Sequence, residues 1–188
     1  MSLQLITPPA VEPVTLDEAK AHLKVDTTDD DALITRSIAA ARARAEWHTG
    51  RAFVTQSWIL WLDEWPLRGA VGIPLPPLIQ VASVTTYGRD DAASAVDPAN
   101  YQVDAVSQPG RLVLKDTVVP PIANLRSVNA IAIAFDAGYG AAAGDVPAPL
   151  REAVLEIVAE LYVHRGDGPE EIALSAQALL APYRIFNL

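Results

Sequence analysis

Apolar side chains recur at helical spacing in the first fifty residues of the chain. Because a period of three to four residues places side chains on one face of an α-helix, the pattern predicts two helices. The two series are Leu16, Ala19 and Leu23, and then Ile34, Ile38, Ala41 and Ala45. Thr15 and Glu18 are spaced as a capping box at the start of the first helix, and Gly50 is placed to end the second. The two alanines of the second series predict a seam that allows close packing, within one subunit or between subunits.

The middle of the chain loses this period and shows short runs between proline and glycine breaks. Ile131, Ile133 and Phe135 alternate with Ala132 and Ala134, as a strand with one heavy face requires. The runs lie too close together for βαβ units, so we expect a small antiparallel sheet or sandwich. The predicted strands cover 54–62, 79–87, 101–104, 111–115 and 128–135.

Helical spacing returns in the last quarter of the chain. A long helix is predicted to begin near Pro147 and Pro149 and to end at Gly166 or Gly168. A short last helix is expected from 169 to 180. The apolar series that predicts the long helix is Leu150, Val154, Ile157 and Leu161.

These three zones predict an α+β fold. We expect a helical bundle core built from the N- and C-terminal helices, with an inserted small antiparallel β domain. The core should comprise 1–52 and 141–188, and the insertion 53–140. A length of 188 residues is that of one domain, or of one domain with a sizeable insertion.

Charge and composition narrow the class of function. The formal net charge is −9, which disfavours a general nucleic-acid binder or a protein of anionic membrane surfaces. The chain has no cysteine, which excludes disulfides, thiolate metal sites and cysteine nucleophiles. It shows no secretory signal pattern and no apolar run long enough to span a bilayer, so we expect a soluble protein made in the cytoplasm.

Candidate catalytic and ligand-binding residues are few. The acidic run 26–31 lacks the glycine and glutamate of a calcium loop, and the glycines of 138–144 lack both dinucleotide spacing and a βαβ context. We therefore expect no enzyme, no catalytic residue, no cofactor and no metal. The three histidines share no metal-ligand spacing and are His22, His48 and His164.

The sequence allows either a structural or a binding role for two aromatic features. Trp58, Trp61 and Trp65 lie within eight residues and fit either a sugar-binding platform or core and protein interface. We favour the second interpretation because Trp58 and Trp61 fall on opposite faces of a strand. The apolar C-terminal tail, residues 183–188, either docks back on its own fold or anchors a partner.

The order of the zones and several strings resemble the head–tail connector (adaptor) proteins of long-tailed phages, prophages and gene transfer agents. The resemblance is to the longer variety, which has a β insertion between its helical halves. It spans nearly the whole chain and is most specific over 13–51 and 135–165. The matching strings are PVTLDEAKAHLKV at 13–25, DDALI at 30–34, AA at 40–41, TGR at 49–51, FDAGYG at 135–140, VPAPL at 146–150 and LYVHR at 161–165.

The resemblance implies a structural virion protein without catalysis or cofactor. Such proteins form a ring, usually twelve-fold, beneath the portal protein, where they extend the DNA channel and meet the next connector (stopper) or a tail component. The location implied is the particle of a phage or gene transfer agent, assembled in the cytoplasm of a bacterial host. Carried onto this chain, the resemblance gives these portal-binding candidates: Tyr183, Arg184, Ile185, Phe186 and Leu188.

The physical character of the chain agrees with that role. A negatively charged wall lets DNA pass without specific binding, because like charge repels phosphate. A ring interface requires two different patches that match each other, and the series Ile34, Ile38, Ala41 and Ala45 is our candidate for subunit packing. The alternatives are a carbohydrate-binding β module that uses the three tryptophans, and a tail-completion protein, against which the helical ends weigh.

Overall fold

The computed structural model describes residues 1–66, 70–115, 124–164 and 172–185. The chain divides into two compact units. The β unit comprises Met1–Pro8 and Thr55–Gly138, and the helical unit comprises Pro9–Val54 and Tyr139–Leu188. The sequence analysis places residues 1–8 with the helices, whereas the structure places them with the sheets.

The helical unit is a small bundle whose apolar faces meet in one core. Its helices are α1 (Leu16–Leu23), α2 (Asp31–Thr49), α3 (Ala148–His164) and α4 (Leu174–Leu180). The core takes its largest contribution from α2 and α3, with Phe53 and Leu180 also fully buried. The first residues of the predicted last helix, 169–171, lie outside the described residues.

The predicted caps at Thr15 and Gly50 are confirmed, whereas the glycines predicted to end the long helix, Gly166 and Gly168, lie outside the described residues. The Thr15 hydroxyl accepts a hydrogen bond from the Glu18 N–H, and the Glu18 carboxylate accepts one from the Thr15 N–H at 2.7 Å. Gly50 follows α2 with a φ of 69°, a left-handed conformation that glycine adopts without strain. Asp30 stands at the N-cap of α2 but makes no capping bond with its side chain. Its carboxylate instead accepts a hydrogen bond from the Tyr162 hydroxyl at 2.5 Å.

The β unit contains two antiparallel sheets in its described residues. The order in the larger sheet is β1-β2-β8-β4-β5, and in the smaller sheet β3-β7-β6. The strands are β1 (Ser2–Thr7), β2 (Gln56–Leu62), β3 (Ala70–Ile73), β4 (Leu78–Tyr87), β5 (Ala93–Ala95), β6 (Tyr101–Asp104), β7 (Gly110–Leu114) and β8 (Ile131–Ala137).

Because side chains alternate along each strand, the larger sheet has two different faces. We call the face with the large apolar side chains of β8 the heavy face, and the other the light face. Ile133 and Phe135 of β8 are buried on the heavy face, whereas Ala134 and Asp136 point the other way and are half-buried. The smaller sheet meets the larger one at Gly110 of β7, where an added Cβ would lie 2.6 Å from the side chain of Leu78. Both sheets therefore bury one face, as the alternating pattern of 131–135 predicts.

The sequence analysis predicted five of these strands and missed three. The predicted runs correspond to β2, β4, β6, β7 and β8, with ends displaced by up to three residues. The missed strands are β1, β3 and β5, of which β1 and β5 are exposed along their whole length. Among the described residues, no helix combines the length and apolar character that crossing a bilayer requires.

Candidate assembly surfaces

The predicted subunit seam of α2 lies inside the protomer. Ile34, Ile38, Ala41 and Ala45 are at most 2% exposed and belong to the core that α2 forms with α3. The small alanines let these two helices approach closely within one chain. These four side chains are therefore not available to a neighbouring subunit, which differs from the role in subunit packing predicted for them.

The opposite side of α2 presents an exposed strip. Arg36, Ala40, Ala43 and Trp47 are all exposed and recur at spacings of four, three and four; we call them the α2 outer face. The Trp47 side chain is 90% exposed, although an indole buries a large apolar area when it finds a partner. Tryptophan flanked by small residues and an arginine is typical of a protein–protein interface.

Ion pairs hold α2, the helix that carries this face, in place. The Arg42 guanidinium binds Glu12 at 2.7 Å and Glu46 at 2.6 Å. Burial works against the charge of Arg42, but the two carboxylates outweigh it and raise its pKa above the ordinary value. The other carboxylate oxygen of Glu46 accepts a hydrogen bond from the Phe53 N–H at 2.8 Å, so α2 is tied to the segment that follows it.

A second ion pair joins α1 to α3. Arg151 binds Glu18 at 2.5 Å and donates a hydrogen bond to the Pro13 carbonyl at 3.0 Å. The pKa of Glu18 lies below its ordinary value, chiefly because the carboxylate accepts the hydrogen bond from the Thr15 N–H, while Arg151 adds to the effect. One carboxylate thus serves both the capping box and the ion pair.

The described part of the C-terminal tail docks back on the helical unit. The Arg51 guanidinium donates a hydrogen bond to the Tyr183 carbonyl, and the Ile185 N–H donates one to the Thr49 carbonyl at 2.8 Å. Tyr183 and Ile185 are half-buried, and Arg184 between them is exposed. Phe186 and Leu188, the remaining portal-binding candidates, lie outside the described residues.

Arg184 acts on a histidine of the neighbouring helix. Burial and then the positive charge of Arg184 lower the pKa of His48. Both effects favour the neutral form of the His48 imidazole, which lies at the end of α2 next to the outer-face residue Trp47.

The three tryptophans of the β unit do not share one surface. Trp58 pairs with Phe135 and Trp61 with Ala132, so the two indoles project from opposite faces of the sheet, as predicted. Trp65 is only 6% exposed. Trp61 lies on the light face, 5.8 Å from the Tyr87 ring, and its N–H donates to Gln4. A sugar platform built from all three side chains is therefore absent from the described residues.

Three acidic side chains that could have belonged to a catalytic or metal site are instead bound to other groups of the protein. Asp31 pairs with Lys20 at 2.6 Å, and Asp136 accepts hydrogen bonds from Ser57 and Gln80 on the two flanking strands. In the glycine-rich connector, the Asp145 carboxylate accepts a hydrogen bond from the Ala142 N–H. The same side chain leaves no space for a side chain at Gly140. The described residues contain no group of three or more side chains that could hold a metal ion.

Both units expose apolar side chains, among them Trp47 of the helical unit and Leu5 of the β unit. A family model described as "Phage gp6-like head-tail connector protein" matches residues 13–87, which carry α1, α2 and the first strands of the insertion. The resemblance predicted from the sequence is thereby confirmed over these residues.

Solved structures resemble the chain over its whole length. "Neck of empty GTA particle computed with C6 symmetry" contains a chain with a TM-score of 0.86 and 23% identity. "Neck of native GTA particle computed with C12 symmetry" and "Virion of native gene transfer agent (GTA) particle" each contain one with a TM-score of 0.83, at 22% and 21% identity. In all three comparisons 100% of this chain and 97% of the other are covered. A search among curated proteins gave no match.

Proposed function

We propose that this protein forms a ring beneath the portal of a phage or gene transfer agent particle and joins head to tail. The observation that carries the proposal is the family match over 13–87 on a chain whose whole fold is that of proteins in particle necks. The reconstruction of one such neck with C12 symmetry supports a twelve-fold ring. The protein is then a component of the virion and has no catalytic role.

We assign a role in the proposed ring to each of three surfaces. The C-terminal tail contacts the portal, with exposed Arg184 and the residues beyond it as the contact and Tyr183 and Ile185 as its fixed base. The α2 outer face contacts a neighbouring subunit through Trp47. The stopper or a tail component binds on the side away from the portal.

The charge of the chain fits the lumen of such a ring. A formal charge of −9 per copy is multiplied around the ring and repels phosphate, so duplex DNA passes without being held.

The proposal is tested by the native mass of the protein in light scattering, first alone and then with the portal protein encoded near it. We expect a portal-dependent increase to a complex that contains multiple copies of this chain. A control mixture with a portal from an unrelated phage should leave the mass unchanged. A chain that stays monomeric with its own portal contradicts the proposal.

A further inference from the structure

Strand β1 forms an unprotected edge of the larger sheet. Among the described strands it pairs with β2 alone, and all six of its residues are exposed. Leu3, Leu5 and Ile6 expose 40%, 44% and 50% of their surface. The strand contains no charged residue and no proline, the two residue types that usually blunt an edge. Such an edge offers a row of backbone N–H and C=O groups for another strand.

The opposite side of the same sheet has a second free stretch. β5 pairs with β4 only at Thr85–Tyr87, so no other described strand pairs with the outer side of β4 over 79–83. Four of these five residues are exposed and the fifth, Val81, is half-buried. Two different free edges on one sheet are what a head-to-tail contact between identical copies requires.

The direction of the strands matches these two edges to each other. Every neighbouring pair in the order β1-β2-β8-β4 is antiparallel, so β1 and β4 run in opposite directions. Copies related by rotation about a ring axis along the strands keep the same direction. The β1 strand of one copy therefore meets the β4 strand of the next in antiparallel orientation, which continues the pattern of the sheet.

We propose that neighbouring copies in the ring join their larger sheets edge to edge, β1 of one copy pairing with the free half of β4 of the next. The inference rests on the proposed ring. A second copy is the occupant because its own sheet supplies an edge of the right direction and comparable length. Side chains then also match: Leu5 shares the heavy face with Val81, and Gln4 shares the light face with Ser83.

The β4 edge also limits the strength of this contact. Register shifts at 78–80 and 81–83 interrupt the regular pairing of β4 with β8 and distort this part of the strand. β-Bulges of this kind hinder indiscriminate pairing of edges. The joint is therefore weak in the free protein and forms when the portal gathers the copies and raises their effective concentration.

The absence of cysteine from the chain allows the joint to be mapped by disulfides. The test uses two double variants whose cysteines lie on the same face of the sheet: Gln4→Cys with Ser83→Cys, and Leu5→Cys with Val81→Cys. Each variant is bound to the portal and then oxidised. A parallel sample is treated with a short bismaleimide, which tolerates a shift in register. We expect non-reducing gels to show a ladder of covalent multiples up to the full ring. The face-mismatched pair Leu5→Cys with Ser83→Cys and all single variants should give no ladder.

Three results would overturn the inference. A ring of normal mass that gives no ladder in either matched pair excludes the edge joint and leaves the connector function standing. A covalent dimer from Gln4→Cys alone shows β1 pairing with β1 about a two-fold axis. If the wild-type protein forms no ring with the portal, that result contradicts the proposed function itself. Melting temperatures in reducing buffer verify that each variant is folded.

Discussion

Trp47 differs from the other tryptophans in that its indole is almost wholly in contact with water. Trp65 is buried, and Trp58 and Trp61 are half-buried on the two faces of one sheet. A single exposed apolar residue is common on protein surfaces, but Trp47 continues a strip of two exposed alanines and an arginine. Burial of this strip by a neighbouring subunit removes the least soluble part of α2 from water.

Trp47→Ala should therefore weaken ring assembly and leave the fold unaffected. We expect a loss of about 2 kcal/mol or more per subunit contact, as for a tryptophan at an interface centre. Stability should change by less than about 0.5 kcal/mol, because the side chain makes little contact within the protomer. Portal-dependent light scattering and thermal melts measure the two effects. Val106→Ala removes another highly exposed apolar side chain and is the control; an equal loss in both variants would contradict a specific role for Trp47.

The sequence contained the signal that identifies Trp47. Ala45 ends the buried series of α2, and Trp47 stands two residues later, about 200° around the helix. The indole therefore has to point away from the core. Trp47 was missed as a site residue because only the three tryptophans of 58–65 were considered in the sequence.

At the scale of elements, α2 has two faces with opposite tolerance for large side chains. Ala41 is fully buried against the core, and its neighbour Ala40 is exposed on the outer face. The same substitution at adjacent positions separates the two environments.

Ala41→Trp should destabilise the helical unit by about 1–3 kcal/mol or more, because the core has no space for an indole. Ala40→Trp is the matched control and should change stability by less than about 0.5 kcal/mol. Denaturant titration gives both values. Equal melting of Ala41→Trp and the wild-type protein would refute the placement of Ala41 in the core.

Glu18 makes the joint between α1 and α3 dependent on pH. Its pKa is lowered in the folded protein, so its stabilisation is present above the unfolded value of about 4.5 and is lost as the pH falls through the folded value. Glu18→Ala should lower stability by roughly 1 kcal/mol at pH 7, since a capping bond and an ion pair are lost. The difference from the wild-type protein should disappear in acid.

Asp17→Ala serves as the control for Glu18, because Asp17 also lies in the first turn of α1 but is exposed. Stability curves at several pH values distinguish the two variants. A constant difference between Glu18→Ala and the wild-type protein at all pH values would contradict the role of the ionised carboxylate.

Most elements with a buried face could be predicted from the sequence, whereas the four-residue strand β3 and the fully exposed strands β1 and β5 could not. The helices and the heavy strand β8 repeat apolar residues with a clear period. β1 is exposed on every residue, and its pairing with β2 joins positions more than fifty residues apart, such as Leu3 and Leu60. Local pattern carries no information on such a contact, which explains why residues 1–8 were assigned to the helical core.

At the scale of the whole molecule, the described base of the C-terminal tail is hydrogen-bonded to the helical unit at Tyr183 and Ile185. Removal of 186–188 should leave stability unchanged and weaken portal binding. Removal of 183–188 should also reduce stability by about 1–3 kcal/mol, because the buried Arg51 loses the carbonyl of Tyr183 and α2 loses the bond from Ile185. Of the two roles left open by the sequence for this tail, docking on its own fold is observed for the described part.

Portal affinity and melting temperature of the two truncated proteins measure these effects separately. A fully retained portal affinity after removal of 186–188 would show that the tail is not the contact. Arg184→Ala in the full-length chain tests the one portal candidate that is described and exposed.

The chain leaves the helical unit and returns to it at neighbouring points of the backbone. The Tyr139 N–H donates to the Phe53 carbonyl at 2.8 Å, and Val54 bridges to Gly140 beside it. A short turn between these points would close the bundle without moving α2 or α3. Over evolutionary time, lineages can thus lengthen, trim or replace the intervening segment to suit a new tail, while the packing of the helices is inherited intact.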